Sequence, residues 1–262
     1  MKRTPIPLEW DTIPEPFHPF LSGAAVFDSS CSSNARVLYL EKDGGFYLKS
    51  APKGALRREA DMTRFFHSKG LGTQVLAYES LESDWILTRR IPGEDCCDPQ
   101  YLADPTRLCD TLGECLRMLH DSDPTGCPIP NHTAEYIEKA RRNFLANDYN
   151  TEHFPDNWGY RSPEDAWKVV EESSKYLKTD TLLHGDYCLP NIMLDNWRFS
   201  GFIDLDTGGV GDRHVDLFWG IWSLNFNLKT SQYRDRFLDA YGRDRVCEDI
   251  FSVIAALEVF TA

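Results

Sequence analysis

The stretch His184-Gly185-Asp186-Tyr187-Cys188-Leu189-Pro190-Asn191, followed by Phe202-Ile203-Asp204-Leu205-Asp206, decides how this chain is read. An Asp, an Asn five residues later and an Asp 13 beyond that each stand beside a short apolar run. Those runs (Thr181-Leu182-Leu183, Ile192-Met193-Leu194 and Gly201-Phe202-Ile203) read as short strands, which bring three oxygen-bearing side chains to one loop edge. Hard oxygen donors suit Mg²⁺, which takes one or two carboxylates and leaves its other positions to water and substrate phosphates. Phosphoryl transfer needs such metals plus one further carboxylate to orient the attacking hydroxyl and accept its proton.

Toward the N-terminus, residues 23–28, 36–40 and 45–50 read as strands. Lys42-Asp43-Gly44-Gly45 is a tight-turn signal that makes the last two a hairpin. Residues 56–69 have helical spacing, with Met62, Phe65 and Phe66 on one stripe and Gly70 as a stop. Residues 75–78 and 85–88 add further strands, and the proline-rich first 20 residues are expected to run as an extended arm or a short strand. In Phe46-Tyr47-Leu48-Lys49, alternation puts Tyr47 and Lys49 on one face, where a stacking ring and a phosphate-facing ammonium can share a wall. Glu59 lies three residues before Met62 and so on the helix's inward stripe. A carboxylate there is awkward unless paired, and Lys49 is the evident partner.

Arg89-Arg90-Ile91-Pro92-Gly93 breaks the strand pattern, and helices dominate beyond it. Leu108, Leu112, Cys115, Leu116 and Leu119 recur at helical spacing, and Ile137, Ala140 and Phe144 mark a second helix. Ser162-Pro163-Glu164-Asp165 has the cap, first-turn Pro and early acids of a helix start. Residues 232–241 and 246–260 supply two more helices. The expected architecture is α+β: a small antiparallel β lobe with one helix over residues 1–90, and a larger helical lobe over residues 91–262.

With 262 residues, 42% of them hydrophobic and 13% aromatic, the chain can build a substantial core and is not disordered. Acids outnumber bases 41 to 28, a formal charge of −13, which argues against a nucleic-acid surface and suits a cationic ligand. No segment has the uninterrupted apolar length of a membrane span, and no apolar run follows Lys2 and Arg3 to make a secretory signal. The eight cysteines include no C-x-x-C pair and read as reduced thiols. A cytoplasmic protein, monomeric or weakly dimeric, is expected.

The pattern resembles the H-G-D-x-x-x-x-N…I-D motif of the aminoglycoside phosphotransferase and choline kinase superfamily, whose fold is protein-kinase-like and two-lobed. That resemblance implies that Asp186 is the catalytic aspartate and that Asn191 and Asp204 hold Mg²⁺. It implies further that Lys49, ion-paired to Glu59, positions the phosphates of ATP or GTP and that Tyr47 stacks on the base. Ser30 and Ser32, in the Ser29-Ser30-Cys31-Ser32-Ser33-Asn34 loop, take the place of the kinase Gly-rich loop, although no G-x-G is present. Arg90 and Ile91 fall at the hinge whose backbone binds adenine. His120 is expected to be structural, Asp216 either to cap a helix or to hold the catalytic loop, and His184 to hold that loop by hydrogen bonding.

The resemblance runs nearly the full chain and is greatest to the aminoglycoside 3′-phosphotransferases. It makes Asp156 and Glu258 candidate ligands of a cationic, hydroxyl-bearing acceptor. Asp206, which stands where the family has another residue, either contacts a second metal or faces the substrate. Beyond Ser223, Asn225, Phe226 and Asn227 replace the family's acidic substrate residues, and the nearby aromatics Trp219, Trp222 and Phe226 are expected to pack in the core, the alternative being a ring that faces the cleft and changes substrate choice. The implied function is γ-phosphoryl transfer to an aminoglycoside, with antibiotic resistance as the role. The alternatives are a kinase of another small alcohol and a catalytically silent nucleotide-binding module.

Overall fold

The computed structural model describes residues 3–31, 34–149 and 160–261. The N-terminal elements are β1 (Thr4–Pro5), α1 (His18–Leu21), β2 (Ala25–Asp28), β3 (Arg36–Glu41), β4 (Phe46–Pro52), α2 (Arg57–Ser68), β5 (Val75–Ser80), β6 (Ser83–Arg89) and β7 (Glu94–Asp95). Helices then follow: α3 (Pro99–Leu102), α4 (Pro105–His120), α5 (His132–Ala146) and α6 (Pro163–Ser173). The remainder runs β8 (Thr181–Leu183), β9 (Ile192–Asp195), β10 (Arg198–Phe202), β11 (Gly209–Gly211), α7 (His214–Leu228), α8 (Arg234–Tyr241) and α9 (Glu248–Thr261). The class is α+β, as expected.

Two compact units divide the chain: Met1–Tyr101 with Pro190–Thr207, and Leu102–Leu189 with Gly208–Ala262. The sequence reading placed 190–207 with the helical lobe. Backbone pairing instead ties this segment to the first unit, through Phe202 N–H to Leu71 O at 2.8 Å and Cys96 N–H to Ile192 O at 3.1 Å. β7 also pairs antiparallel with β9. Gly93 makes that approach possible: a Cβ there would lie 2.0 Å from Leu194 O, at a φ of +89°.

The first unit is built on an antiparallel sheet ordered β1-β2-β3-β4-β6-β5. The Lys42–Gly45 turn sets the β3/β4 register, in which Tyr39 faces Tyr47 and Val37 faces Lys49. Leu38, Leu40, Phe46, Leu48 and Leu87 form the apolar layer under this sheet. The first 20 residues do not run extended throughout. Short helical turns bury Phe17, and Leu21 follows it into the same layer, because apolar side chains gain more against the sheet than in water.

The second unit packs α5, α6, α7 and α9 around Leu257, Phe260, Val215 and their neighbours. α4 lies close to α8 because Gly113 has no side chain; a Cβ there would stand 2.8 Å from Phe237 O. β8 pairs with β11, a strand not evident in the sequence because two of its three residues are glycines. Packing selects those glycines: a Cβ on Gly209 would meet Ile129 at 2.8 Å, and one on Gly211 would meet Leu183 at 2.7 Å.

Candidate active site

A cavity of about 300 Å³ opens in the first unit. Tyr47 and Lys49 from β4, Glu59 from α2, Ile91, Asn191 and Asp204 all line it, so six of the sequence-identified residues converge on one space. The alternation of β4 and the helical stripe of α2 account for three of them. Lys49 Nζ lies 2.7 Å from Glu59 Oε2 and 2.9 Å from Asp204 Oδ1. Burial works against the Lys49 charge, but Glu59 and then Asp204 outweigh it and hold the ammonium above its ordinary range. Burial pushes Glu59 up to about 7 against the pull of Lys49.

Asp204 has a φ of +59° and its side chain is 48% exposed. A non-glycine residue in the left-handed region costs free energy, a pattern that clusters at functional sites. Asn191 is buried, and its carbonyl accepts from Ile203 N–H at 3.1 Å, which couples the two ligand candidates through the backbone. Among the described residues no group of three or more His, Cys, Asp or Glu could hold a metal by itself. One carboxylate and one amide oxygen are instead a donor set that fits Mg²⁺, with water and phosphate oxygens completing the shell.

Tyr47 is held by its surroundings. Arg3 donates to its hydroxyl at 3.1 Å, and the Tyr39 ring sits 5.2 Å away. Ser30 is committed to structure: its hydroxyl accepts from Val37 N–H at 2.9 Å, and its neighbours Ser29 and Cys31 line the cavity. Ser32 lies outside the described residues, as does Asp156. The Arg90 N–H is already given to Gly45 O, and its guanidinium donates to Gly93 O, so Arg89 rather than Arg90 lines the cavity. Asp206 is exposed and is not part of the cavity wall.

The sequence reading missed the apolar walls, formed by Val37, Ile86, Met193 and Ile203. Two-residue alternation on β6 would have supplied part of this, since Ile86 and Thr88 both line the cavity.

In the second unit Asp186 is half-buried on the loop after β8. Asp216, wholly buried in the first turn of α7, fixes that loop: its carboxylate accepts from His184 N–H at 2.8 Å and Gly185 N–H at 2.7 Å. His120 Nε2 stands 3.1 Å from Asp216, and its Nδ1 lies 2.9 Å from the Tyr241 hydroxyl. The acceptor-only carboxylate assigns the ring proton to Nε2, leaving Nδ1 to accept from the tyrosine. Burial would raise the Asp216 carboxyl, but His120, His184 and backbone donors hold it below the ordinary value. Burial lowers His120 and keeps the imidazole neutral. Asp186 N–H donates to His184 Nδ1 at 3.3 Å, and Leu189 N–H donates to Ser223 Oγ at 2.9 Å. His120, His184 and Asp216 therefore hold the loop, as their sequence context implied.

Glu258 is buried inside the second unit, where it accepts from the Tyr136 hydroxyl, Trp219 Nε1 at 3.0 Å and Thr261 Oγ1 at 3.2 Å. The aromatics beyond it depart from expectation. Trp222 and Phe226 are 47% and 56% exposed, outside the core to which the sequence reading assigned them. Among the described residues none of the eight cysteines is joined in a disulfide, and no helix is long and apolar enough to cross a membrane.

Residues 26–251 match the model of the phosphotransferase enzyme family. The chain is 49% identical over 251 residues to a probable aminoglycoside 3′-phosphotransferase of Lactococcus lactis subsp. lactis, covering 95% of each chain. It is 26% identical to an aminoglycoside 3′-phosphotransferase of Staphylococcus aureus, over 90% of this chain and 93% of that one. Among solved structures, an aminoglycoside-3′-phosphotransferase of type VIII superposes with a TM-score of 0.74 at 24% identity, over 91% of this chain and 94% of that one. The protein-kinase-like fold implied by the motif is thus the fold observed.

Proposed function

The chain belongs to the phosphotransferase enzyme family, and from that premise we propose that it transfers the γ-phosphoryl group of ATP to the 3′-hydroxyl of an aminoglycoside. The acceptor oxygen bonds to the γ-phosphorus, the bond to the β–γ bridging oxygen breaks, and ADP leaves. Asp186 orients the hydroxyl and takes its proton. Lys49, braced by Glu59, meets the phosphate oxygens, while Tyr47, Ile86, Met193 and Ile203 provide the apolar walls that a base requires. Asn191 and Asp204 would hold Mg²⁺, which supplies neutralisation of phosphate charge when bound. The Lys49–Asp204 pair keeps both side chains at the cavity until the nucleotide arrives. Asp206 and Asp156 supply negative charge toward a cationic acceptor, and the first and second units carry nucleotide binding and catalysis respectively. The cytoplasm, where ATP and Mg²⁺ are abundant, is the compartment in which this reaction runs.

The observation that carries this reading is the convergence of Lys49, Glu59, Asn191 and Asp204 on one cavity. An ADP-release assay over aminoglycosides and simpler amino alcohols, with ATP and with GTP, tests it. Turnover is expected with aminoglycosides bearing a 3′-hydroxyl and not with their 3′-deoxy analogues. Turnover confined to choline-like or amino-acid alcohols would replace this acceptor with another small alcohol.

A further inference from the structure

α7 presents two different faces. Asp216 and Ser223 face the catalytic loop, through His184 N–H, Gly185 N–H and Leu189 N–H, and Asn227 donates to Ser223 O on the same side. At about 100° per residue, Trp219, Trp222 and Phe226 occupy the adjoining arc, roughly a quarter turn away. Trp219 closes the gap: its carbonyl lies 4.0 Å from Cys188 Sγ, and its indole N–H is fixed on buried Glu258. Outward from that anchor the rings continue without a break. Trp219 meets Trp222 edge-on at 5.5 Å, and Trp222 stacks on Phe226 at 5.1 Å with only 7° between their planes.

Two large stacked rings that remain half exposed, the first of them one helical turn from Trp219, whose carbonyl meets the loop residue Cys188, form a surface ready for a ligand. The chemistry it accepts is visible in the protein itself, because Lys229 Nζ stands 4.1 Å over the centre of the Phe226 ring. An aromatic face attracts an ammonium electrostatically and also packs against the C–H face of a saturated ring. We propose that the Trp222–Phe226 pair is an acceptor platform, taking an ammonium-bearing sugar or cyclitol ring on its aromatic face in exchange for Lys229. This rests on the aminoglycoside reading of the same site, and it assigns recognition of one substrate cation to rings rather than to carboxylates. Lys229 is exposed at the end of α7, so its side chain can yield the ring to the substrate.

The test is acceptor kinetics at saturating ATP for the wild type, W222A, F226A, the double variant, W222F and W222L. The double variant is expected to raise the acceptor KM about 5- to 30-fold with kcat within about twofold and the KM for ATP unchanged. W222F restores the wild-type KM, whereas W222L, apolar but without a π face, does not. The rings are half exposed, so the thermal midpoints of all variants stay near that of the wild type. An acceptor KM within about twofold of wild type in the double variant overturns the platform. So does an unchanged KM with loss of self-association in sedimentation, which assigns the patch to a second copy of this chain. Failure of the wild type to turn over any aminoglycoside overturns the underlying reading, and the platform with it, before any variant is compared.

Discussion

In the first unit the Lys49 ammonium sits between two carboxylates, one of them nearly half exposed, and every partner in the arrangement carries a charge. In the second, one carboxylate with no exposure takes two backbone N–H groups and a neutral imidazole. The first arrangement can be exchanged: in the proposed reaction a metal ion and phosphates would offer the same charged groups new partners. The second cannot, because removing any partner strands a buried polar group. A transferase needs both behaviours, since the nucleotide enters and leaves on each cycle while the base must keep one orientation. The predictions below strain this contrast in turn.

The largest effect is expected at the residue that the rigid arrangement serves. Asp186→Ala removes the proposed proton acceptor and leaves the loop's anchoring bonds to Asp216 and Ser223 in place. kcat should fall about 10²- to 10⁴-fold, with the thermal midpoint and the KM for ATP nearly unchanged. Steady-state kinetics beside a melting curve checks this. A variant that keeps half the wild-type kcat would remove Asp186 from the chemistry.

A smaller effect is expected where the arrangement is exchangeable. Asp204→Asn and Asn191→Ala each weaken one of the two oxygen donors proposed for Mg²⁺. Because loss of an outer-sphere partner alone costs about 10- to 100-fold in metal affinity, loss of a donor should cost at least about tenfold. Activity titrated against Mg²⁺, and calorimetry of ATP with and without the metal, read this directly. An unchanged Mg²⁺ dependence in both variants would move the metal elsewhere.

Much of this contrast was legible in the sequence, because it depends on spacing. The Lys42–Gly45 turn fixed the hairpin, two-residue alternation put Tyr47 and Lys49 on one wall, and the Asp186, Asn191 and Asp204 intervals matched a known motif. What escaped depends on tertiary packing. β11 has glycines where strand propensity is poor, and they are there only because Ile129 and Leu183 approach so closely. Ser30 is adjacent in sequence to cavity residues, yet its hydroxyl is turned into the backbone. The exposure of Trp222 and Phe226 could not be read from α7, a helix apolar nearly all round, because the packing of α8, α9 and the loop after β8 against it decides which face is covered.

The smallest effect is the most specific to the contrast, because Glu59 and the His120–Asp216 pair should answer acid with opposite signs. Glu59 is raised from 4.5 to about 7, so its contribution to stability is fully present below 4.5 and is lost as the pH rises to about 7. His120 is lowered from 6.5, so its contribution is present above 6.5 and is lost as the pH falls from there toward its folded-state value. Asp216, lowered from 3.8, adds a further loss only below that pH. Between about pH 4.5 and 6.5 the two trends therefore oppose each other in the nucleotide-free protein, on a background that Glu258, also raised by burial, lends equally to every variant. Glu59→Gln removes one trend and should tilt stability downward on acidification relative to the wild type. His120→Asn removes the other and should leave it rising. For Glu59, raised from 4.5 to about 7, each tenfold change in acidity is worth about 1.4 kcal/mol, and a chain of this size shifts its midpoint by about 2–4 °C per kcal/mol, so the upward slope left in His120→Asn should reach several degrees across the window. Melting curves at half-unit pH steps measure them. Parallel slopes in the two variants would show that the charge-held and backbone-held regions are not electrostatically different after all.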